Sequence, residues 1–300
     1  LSQSDPPRPR ASSTSEARRS RISAPPREEL DERLGASDAA VFETFVVPRY
    51  LALFGELVLE LLVPVDGAQV VHLFCRTGYP DRGILLKIPS ARVLGVDPSP
   101  DALALARAKA ALAKDAALDY LQADGVPIPV PDGSFSHALA MHPPLPLVDR
   151  GKLLAEMHRL LTPHGQALFA IPMRGSFTEV ADLLREFALK HDAPELALAI
   201  DEAMGSRPTA DSLAAELVAA GFDYVDVDLK PAVLTFEGGR DFVEDPVCRL
   251  LLFEEFRRNL GAPSLERPLG YVREAIDKYW SDSPFELTVH VGCATARRRP

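Results

Sequence analysis

Apolar residues recur at helical spacing through Val41, Phe45 and Val46, stop near Pro48, and resume from Tyr50 to Leu62. Ser37 can cap the first of these helices, with Asp38 in its opening turn. After Asp66-Gly67 the pattern changes to an unbroken apolar run, Val70 to Phe74, which predicts a buried strand. A second strand, Arg92 to Val96, ends at Asp97. Ser99-Pro100-Asp101 then supplies a cap, a proline at the first helical position and an acid behind it. The Ala/Leu-rich run to Lys114 continues that helix. Leu118 to Ala123 reads as a third strand, Asp132-Gly133 as a turn, and Phe135 to Met141 as a fourth strand. A helix from Asp149 to Leu161 is stopped by Thr162-Pro163-His164-Gly165, and Gln166 to Ile171 is a fifth strand.

The second half is more helical. Phe177 to Lys190, Pro194 to Met204 and a segment capped by Thr209 and closed at Ala220-Gly221 all carry helical periodicity. Phe222 to Phe236 is a long strand, Asp241 to Trp280 a mostly helical block, and Phe285 to Ala296 a last strand. Strands alternating with helices predict an α/β fold with a doubly wound parallel sheet. The two late strands are placed to pair antiparallel at its edge, with the helical block covering the strand ends where such sheets bind ligands.

The first residues break from this pattern. Leu1 to Glu28 is rich in Ser, Pro and Arg, with six arginines against three acids. Such a stretch buries too little apolar surface to offset its ordering entropy and reads as disordered. It is either a solvated tail or a basic arm for an acidic protein partner, and Arg297-Arg298-Arg299 poses the same choice at the other end. The expected organisation is a tail over 1–35 and one domain over 36–300. Within the domain lie N-terminal helices (36–66), a core (67–236), a helical insertion (237–282), and the last strand with its basic end (283–300).

Composition narrows the class. The 300 residues are 47% hydrophobic and carry a formal charge of −10. That allows a sizeable core and argues against a nucleic-acid binder. Three cysteines, Cys75, Cys248 and Cys293, show no metal or disulfide spacing. The longest apolar region, Leu51 to Val65, is interrupted by Glu56, Glu60 and Pro64, so no membrane span is expected. A cytoplasmic protein without a metal is the expectation.

The candidate chemistry sits after the first strand. Val70-Val71-His72-Leu73-Phe74-Cys75-Arg76-Thr77-Gly78 stands where a nucleotide-binding domain has its glycine-rich turn, and Asp97 follows Gly78 by 19 residues. That spacing suits an acid receiving ribose hydroxyls. Three further blocks follow in order: Val93 to Pro100, Gln122-Ala123-Asp124-Gly125 with Pro129 to Phe135, and Glu156 to Leu168. Together the four resemble a class I S-adenosylmethionine-dependent methyltransferase of the ubiquinone and menaquinone biosynthesis branch. The resemblance covers Val70 to about Ala296 and implies a seven-stranded Rossmann-like sheet with its last strand antiparallel. It implies a cofactor site at His72, Phe74, Arg76, Gly78, Asp97, Pro98, Asp124 and Gly125.

The departures fall on that site. The family's acid on the first strand is His72 here, which brings no negative charge to a cationic amino acid. Its first two loop glycines are Phe74 and Arg76. A Cβ in a left-handed conformation costs roughly 1–2 kcal/mol, and both side chains bring bulk toward the ligand. Ser136 stands where the family usually has Asp. His142, after the fourth strand, is either a base for a substrate hydroxyl or a loop histidine placed by Pro143-Pro144. Three readings stay open. The first is a methyltransferase-fold protein with a degenerate cofactor loop, used for binding, scaffolding or regulation. The second is an active methyltransferase of a small molecule, and the third a pocket repurposed for another nucleotide or an anionic metabolite.

Overall fold

The computed structural model describes residues 35–114, 117–145, 149–260 and 265–300. The basic tail of the sequence reading lies outside them. Strands β1 (Gln69–Leu73), β2 (Arg92–Asp97), β3 (Leu118–Gln122), β4 (Phe135–Met141), β5 (Leu161–Pro172), β6 (Phe222–Phe236) and β7 (Phe285–Arg298) form one sheet in the order 3-2-1-4-5-7-6. The first five are parallel, and β7 lies antiparallel between β5 and β6. The expected seven-stranded sheet is therefore present, and the two late strands pair as expected.

The sheet is covered on both faces because its central strands are apolar on both sides. One face packs Val70, Leu139, Leu168, Val289 and Val291 under α2 (Ala52–Leu61) and α6 (Thr178–Lys190). The other packs Val71, Leu73, Ala138, Ala167 and Phe169 under α5 (Arg150–Leu160) and α8 (Ala210–Ala219). Side chains one residue apart thus go to opposite cores, as strand pleating requires. Helix starts follow the sequence signals. Ser99 caps α4 (Pro100–Ala113) through Ala102 N–H at 3.0 Å, Asp149 caps α5, and Thr209 with Ser212 forms a reciprocal box at α8. Each cap contributes about 1 kcal/mol.

Four local departures have physical causes. The N-terminal helix starts at Ala36, so Ser37 lies inside α1 (Ala36–Val41) instead of capping it. Pro48 does not break the helix. With no N–H to donate, it is absorbed by a π-helical stretch, π1 (Phe42–Leu51), which runs directly into α2. The turn before Gln166 is already strand, since β5 begins at Leu161. Asp81–Lys87 forms a short helix, α3, that the sequence pattern did not separate from the loop before β2.

The helical block comprises α9 (Gly239–Glu244), a second π-helical stretch π2 (Cys248–Leu252), α10 (Phe253–Asn259) and α11 (Glu266–Tyr279). With α6 and α7 (Pro194–Ser206) it belongs to the same apolar cluster as α2. Among the described residues no helix is long and apolar enough to cross a membrane. Arg298 donates to the carbonyl of Leu161, and Arg299 pairs with Asp223 at 2.8 Å, so both basic side chains are engaged within the domain.

Candidate functional site

Parallel order reverses between β1 and β4, and the crevice above that reversal is where open α/β sheets bind ligands. The loop after β1 borders it. Phe74 and Arg76 adopt left-handed backbone, φ 57° and 48°, and Gly78 follows at φ 79°. The loop keeps the path of a glycine-rich turn while carrying two side chains that disfavour it. Partners outside the loop hold that path: Cys75 N–H donates to the carbonyl of Val96 at 3.0 Å, and Arg76 N–H to Asp97 Oδ2 at 2.8 Å. Gly78 admits nothing larger, since a Cβ there would stand 2.6 Å from the Tyr120 hydroxyl.

Phe74 is buried in the core under α5, away from bulk water. Arg76 reaches the other way. Its Nη2 donates to the carbonyl of His142 at 2.7 Å, and its guanidinium lies 5.4 Å over the Phe42 ring. One side chain therefore straps the β1 end to the β4 end across the crevice. Burial pulls the Arg76 pKa down from its usual value, partly offset by Asp97.

Asp97 closes at β2. It is 4% exposed and its Oδ1 accepts Ser99 N–H at 2.9 Å, so both oxygens already hold backbone donors. Burial raises its pKa, while the Ser99 and Arg76 N–H bonds pull it back. The expected ribose acid is thus covered by the loop that should present it.

His72 does not face a ligand charge. Its Nδ1 lies 2.6 Å from Asp81 Oδ1 of α3, and both side chains are sealed from solvent. Tyr120 donates its hydroxyl to Asp81 Oδ2 at 3.2 Å. An acid is therefore present beneath the loop, but it comes from α3, nine residues after His72, and is shared by His72 and Tyr120. Lys109 secures the next residue by donating to the Thr77 carbonyl at 2.9 Å and pairing with Glu43.

His142 sits at φ 47° after β4, 7% exposed. Its Nε2 is 2.9 Å from the Tyr50 hydroxyl, and the rings of Tyr50 and Phe54 enclose it edge-on at 5.3 and 5.4 Å. Burial, then Arg76, pushes its pKa down to about 3, so it is neutral at physiological pH. Burial drives the Tyr50 phenol well above its usual value.

The structure thus brings Arg76, Gly78, Asp97 and His142 to one crevice, while the side chains of His72 and Phe74 turn into the buried interior. Pro98 is half-buried beside Asp97, whereas Asp124 and Gly125 follow β3, with Asp124 exposed. Ser136, at the position usually held by Asp, accepts Gln69 N–H at 3.0 Å and ties β4 to β1, which preserves a structural role there. Sequence reasoning missed Tyr50, Asp81 and Tyr120. Only Asp81, an acid opening a helix just after the loop, left a readable signal.

Comparison with known proteins follows the same outline. Residues 74–169 match the family described as "Methyltransferase domain". The chain is 36% identical over 106 residues to the demethylmenaquinone methyltransferase of Thermus thermophilus, covering 34% of this chain and 48% of that protein. It is 32% identical over 145 residues to the malonyl-[acyl-carrier protein] O-methyltransferase of Halorhodospira halophila, covering 45% and 48%. The chain spans about half the length of these curated relatives. Among solved structures, the YcgJ protein of Bacillus subtilis matches with a TM-score of 0.56 at 13% identity, over 83% of this chain and 99% of that one, a likeness of fold. The resemblance to class I S-adenosylmethionine-dependent methyltransferases of the ubiquinone and menaquinone type is borne out.

Proposed function

We propose that this chain is a methyltransferase-fold protein whose S-adenosylmethionine site is closed by its own side chains. In this reading methyl transfer is impaired and the domain acts by binding. The observation that carries this is Arg76, strapped from the first loop to the His142 carbonyl across the crevice. A cofactor placed as in the family would need that bond broken and Asp97 uncovered. Losing a hydrogen bond from a charged donor costs about 1.5–3 kcal/mol, and the same binding energy must also displace Arg76 from Phe42. At about 1.4 kcal/mol per tenfold, the hydrogen bond alone weakens cofactor affinity roughly 10- to 100-fold.

The residues fit the cofactor only in part. Gly78 and Asp97 are suited to ribose, while His72, Phe74 and Arg76 provide no carboxylate and no open backbone for the methionine end. If the cofactor does bind, it supplies an electrophilic methyl group, and the chain's task is to align an acceptor with it. His142, the base candidate of the sequence reading at the β4 end, is buried, engaged at Nε2 by Tyr50 and pushed down to a pKa of about 3, so it is a poor base for a hydroxyl acceptor.

Calorimetric titration with S-adenosylmethionine and S-adenosylhomocysteine tests the closure. The expected result is no micromolar binding by the native chain and measurable binding by the His72→Asp, Phe74→Gly, Arg76→Gly triple variant. Micromolar binding by the native chain would sink the proposal. It would favour an active methyltransferase of a small molecule, the activity printed for the Thermus thermophilus relative being of that kind.

A further inference from the structure

The end of the sheet away from the crevice carries an open cavity of about 660 Å³. His164 near the start of β5, Asp223 and Tyr224 at the start of β6, and Arg297-Arg298-Arg299 at the end of β7 line it. β7 runs antiparallel to β5 and β6, so its last residues lie beside their first ones, far from the strand ends that border the crevice. The volume falls within the range of small-molecule sites.

The cavity holds more positive charge than it pairs. Arg299 meets Asp223 at 2.8 Å. Arg297 reaches only the carbonyl of His164, at 3.4 Å, and Arg298 the carbonyls of Leu161 and Arg159. Carbonyls hold these side chains in place but bring no net charge. Among the described residues neither Arg297 nor Arg298 has a carboxylate within ion-pair distance. The surplus is felt nearby. Burial lowers the pKa of His158, and Arg298 and Arg299 lower it further; at His137 Arg297 adds to burial in the same way, against the Val63 carbonyl.

An aromatic side chain is displayed beside this charge. The β6–β7 register passes from Asp223–Arg297 to Asp226–Thr295, so Tyr224 and Val225 stand opposite Ala296 alone. This is a β-bulge, a device that re-aims side chains at sheet edges and beside sites. Tyr224 takes φ 51°, a left-handed conformation uncommon for a bulky residue, and is 86% exposed. Its ring gains no burial from that conformation, and its face is open for a planar group to stack on. Arg297 and Arg298 are consecutive and leave opposite faces of β7. A single anionic group reaches one of them, whereas a chain of anionic groups laid over the strand end reaches both. We infer that this cavity is a nucleoside polyphosphate site, with Arg297 and Arg298 on the phosphate chain and the base stacked on Tyr224. The guanidinium fork matches phosphate oxygens in shape as well as charge. An acidic peptide would answer the charge but leave Tyr224 without a use.

The test titrates the full chain by calorimetry with adenosine triphosphate, adenosine monophosphate, tripolyphosphate and hexaglutamate. The triphosphate is expected to bind in the micromolar range, roughly 10-fold tighter than tripolyphosphate for one stacked base. It should bind about 10-fold or more tighter than the monophosphate, which reaches a single arginine. Tyr224→Gly suits the left-handed backbone and leaves the core alone; it should bring the triphosphate to the level of tripolyphosphate and leave tripolyphosphate unchanged. Arg297→Gln should weaken both by about 10-fold or more while the thermal transition stays cooperative. Absence of triphosphate binding at about millimolar concentration overturns the inference. So does binding that both variants leave unchanged, which would put the nucleotide elsewhere on the chain. Equal affinities of the triphosphate and tripolyphosphate for the native chain overturn the base contact. Tighter binding of hexaglutamate overturns the assignment in favour of an acidic protein segment. The cofactor titration reads the crevice and moves none of these outcomes.

Discussion

Acidification should strike His142 before the rest of the core. The buried imidazole has its pKa pushed from 6.5 to about 3, chiefly by burial and then by Arg76. A depressed folded value means the unfolded chain binds the proton first. Stability supplied by the neutral ring is therefore complete above about pH 6.5 and is lost as pH falls from there toward 3. Each pKa unit is 1.36 kcal/mol, so between pH 7 and pH 5 the native chain loses about 2 kcal/mol through this one group. That figure stays nearly the same for any folded value below about 4, because at pH 5 the folded ring is still almost wholly neutral.

The perturbation that isolates it is His142→Asn. Asn tolerates the left-handed backbone at φ 47° and offers Tyr50 an acceptor, but has no proton to gain in this range. Urea unfolding of both chains at pH 7 and pH 5 gives four stabilities. His137 and His158, whose values burial also lowers, affect both chains alike and cancel in the difference. The native chain should lose about 2 kcal/mol more than the variant on acidification. Parallel losses would refute the sealed, neutral His142.

Other perturbations separate path from packing in the loop. Phe74→Gly relieves about 1–2 kcal/mol of left-handed strain but removes a buried ring worth about 3–5, so urea midpoints should fall by the equivalent of about 2 kcal/mol; a more stable variant would contradict the burial of Phe74. Arg76→Gly exchanges similar strain for one charged hydrogen bond, so its stability should stay within about 1 kcal/mol of the native chain. Asp81→Ala strips His72 and Tyr120 of their acceptor and should cost about 2–3 kcal/mol, against about 1 for Tyr120→Phe; equal costs would mean the His72 contact adds nothing. The three cysteines are buried and burial raises each thiol, Cys293 to about 12, so a thiol reagent should label them only on unfolding.

The sheet was legible because period-2 and unbroken apolar runs mark strands whatever surrounds them. Phe222 to Phe236 was bounded correctly from sequence for that reason. Helix starts at Ser99, Asp149 and Thr209 were legible because capping is local chemistry. Pro48 misled because the π-helical accommodation depends on packing of Phe42, Val46 and Tyr50, which periodicity cannot weigh. At the site, the four ordered blocks located the crevice and singled out Phe74 and Arg76. They could not show that Arg76 would reach the His142 carbonyl, or that His72 would turn to Asp81, since both pairings join elements brought together only by the sheet. The Arg207–Glu255 pair spans 48 positions and left no local trace.

A nucleotide loop carries two separate instructions, one for the route of its backbone and one for the room above it. Here the route is dictated from outside, by the Val96 carbonyl and the Asp97 carboxylate, and survives the loss of two glycines. In the proposed reading the room does not survive, because Arg76 spans it to the His142 carbonyl. A comparison keyed to backbone shape will keep grouping this chain with nucleotide-binding relatives, while one keyed to free space will set it apart. The same separation offers a route back: because the anchors lie in β2, trimming Arg76 alters occupancy without asking the loop to find a new course.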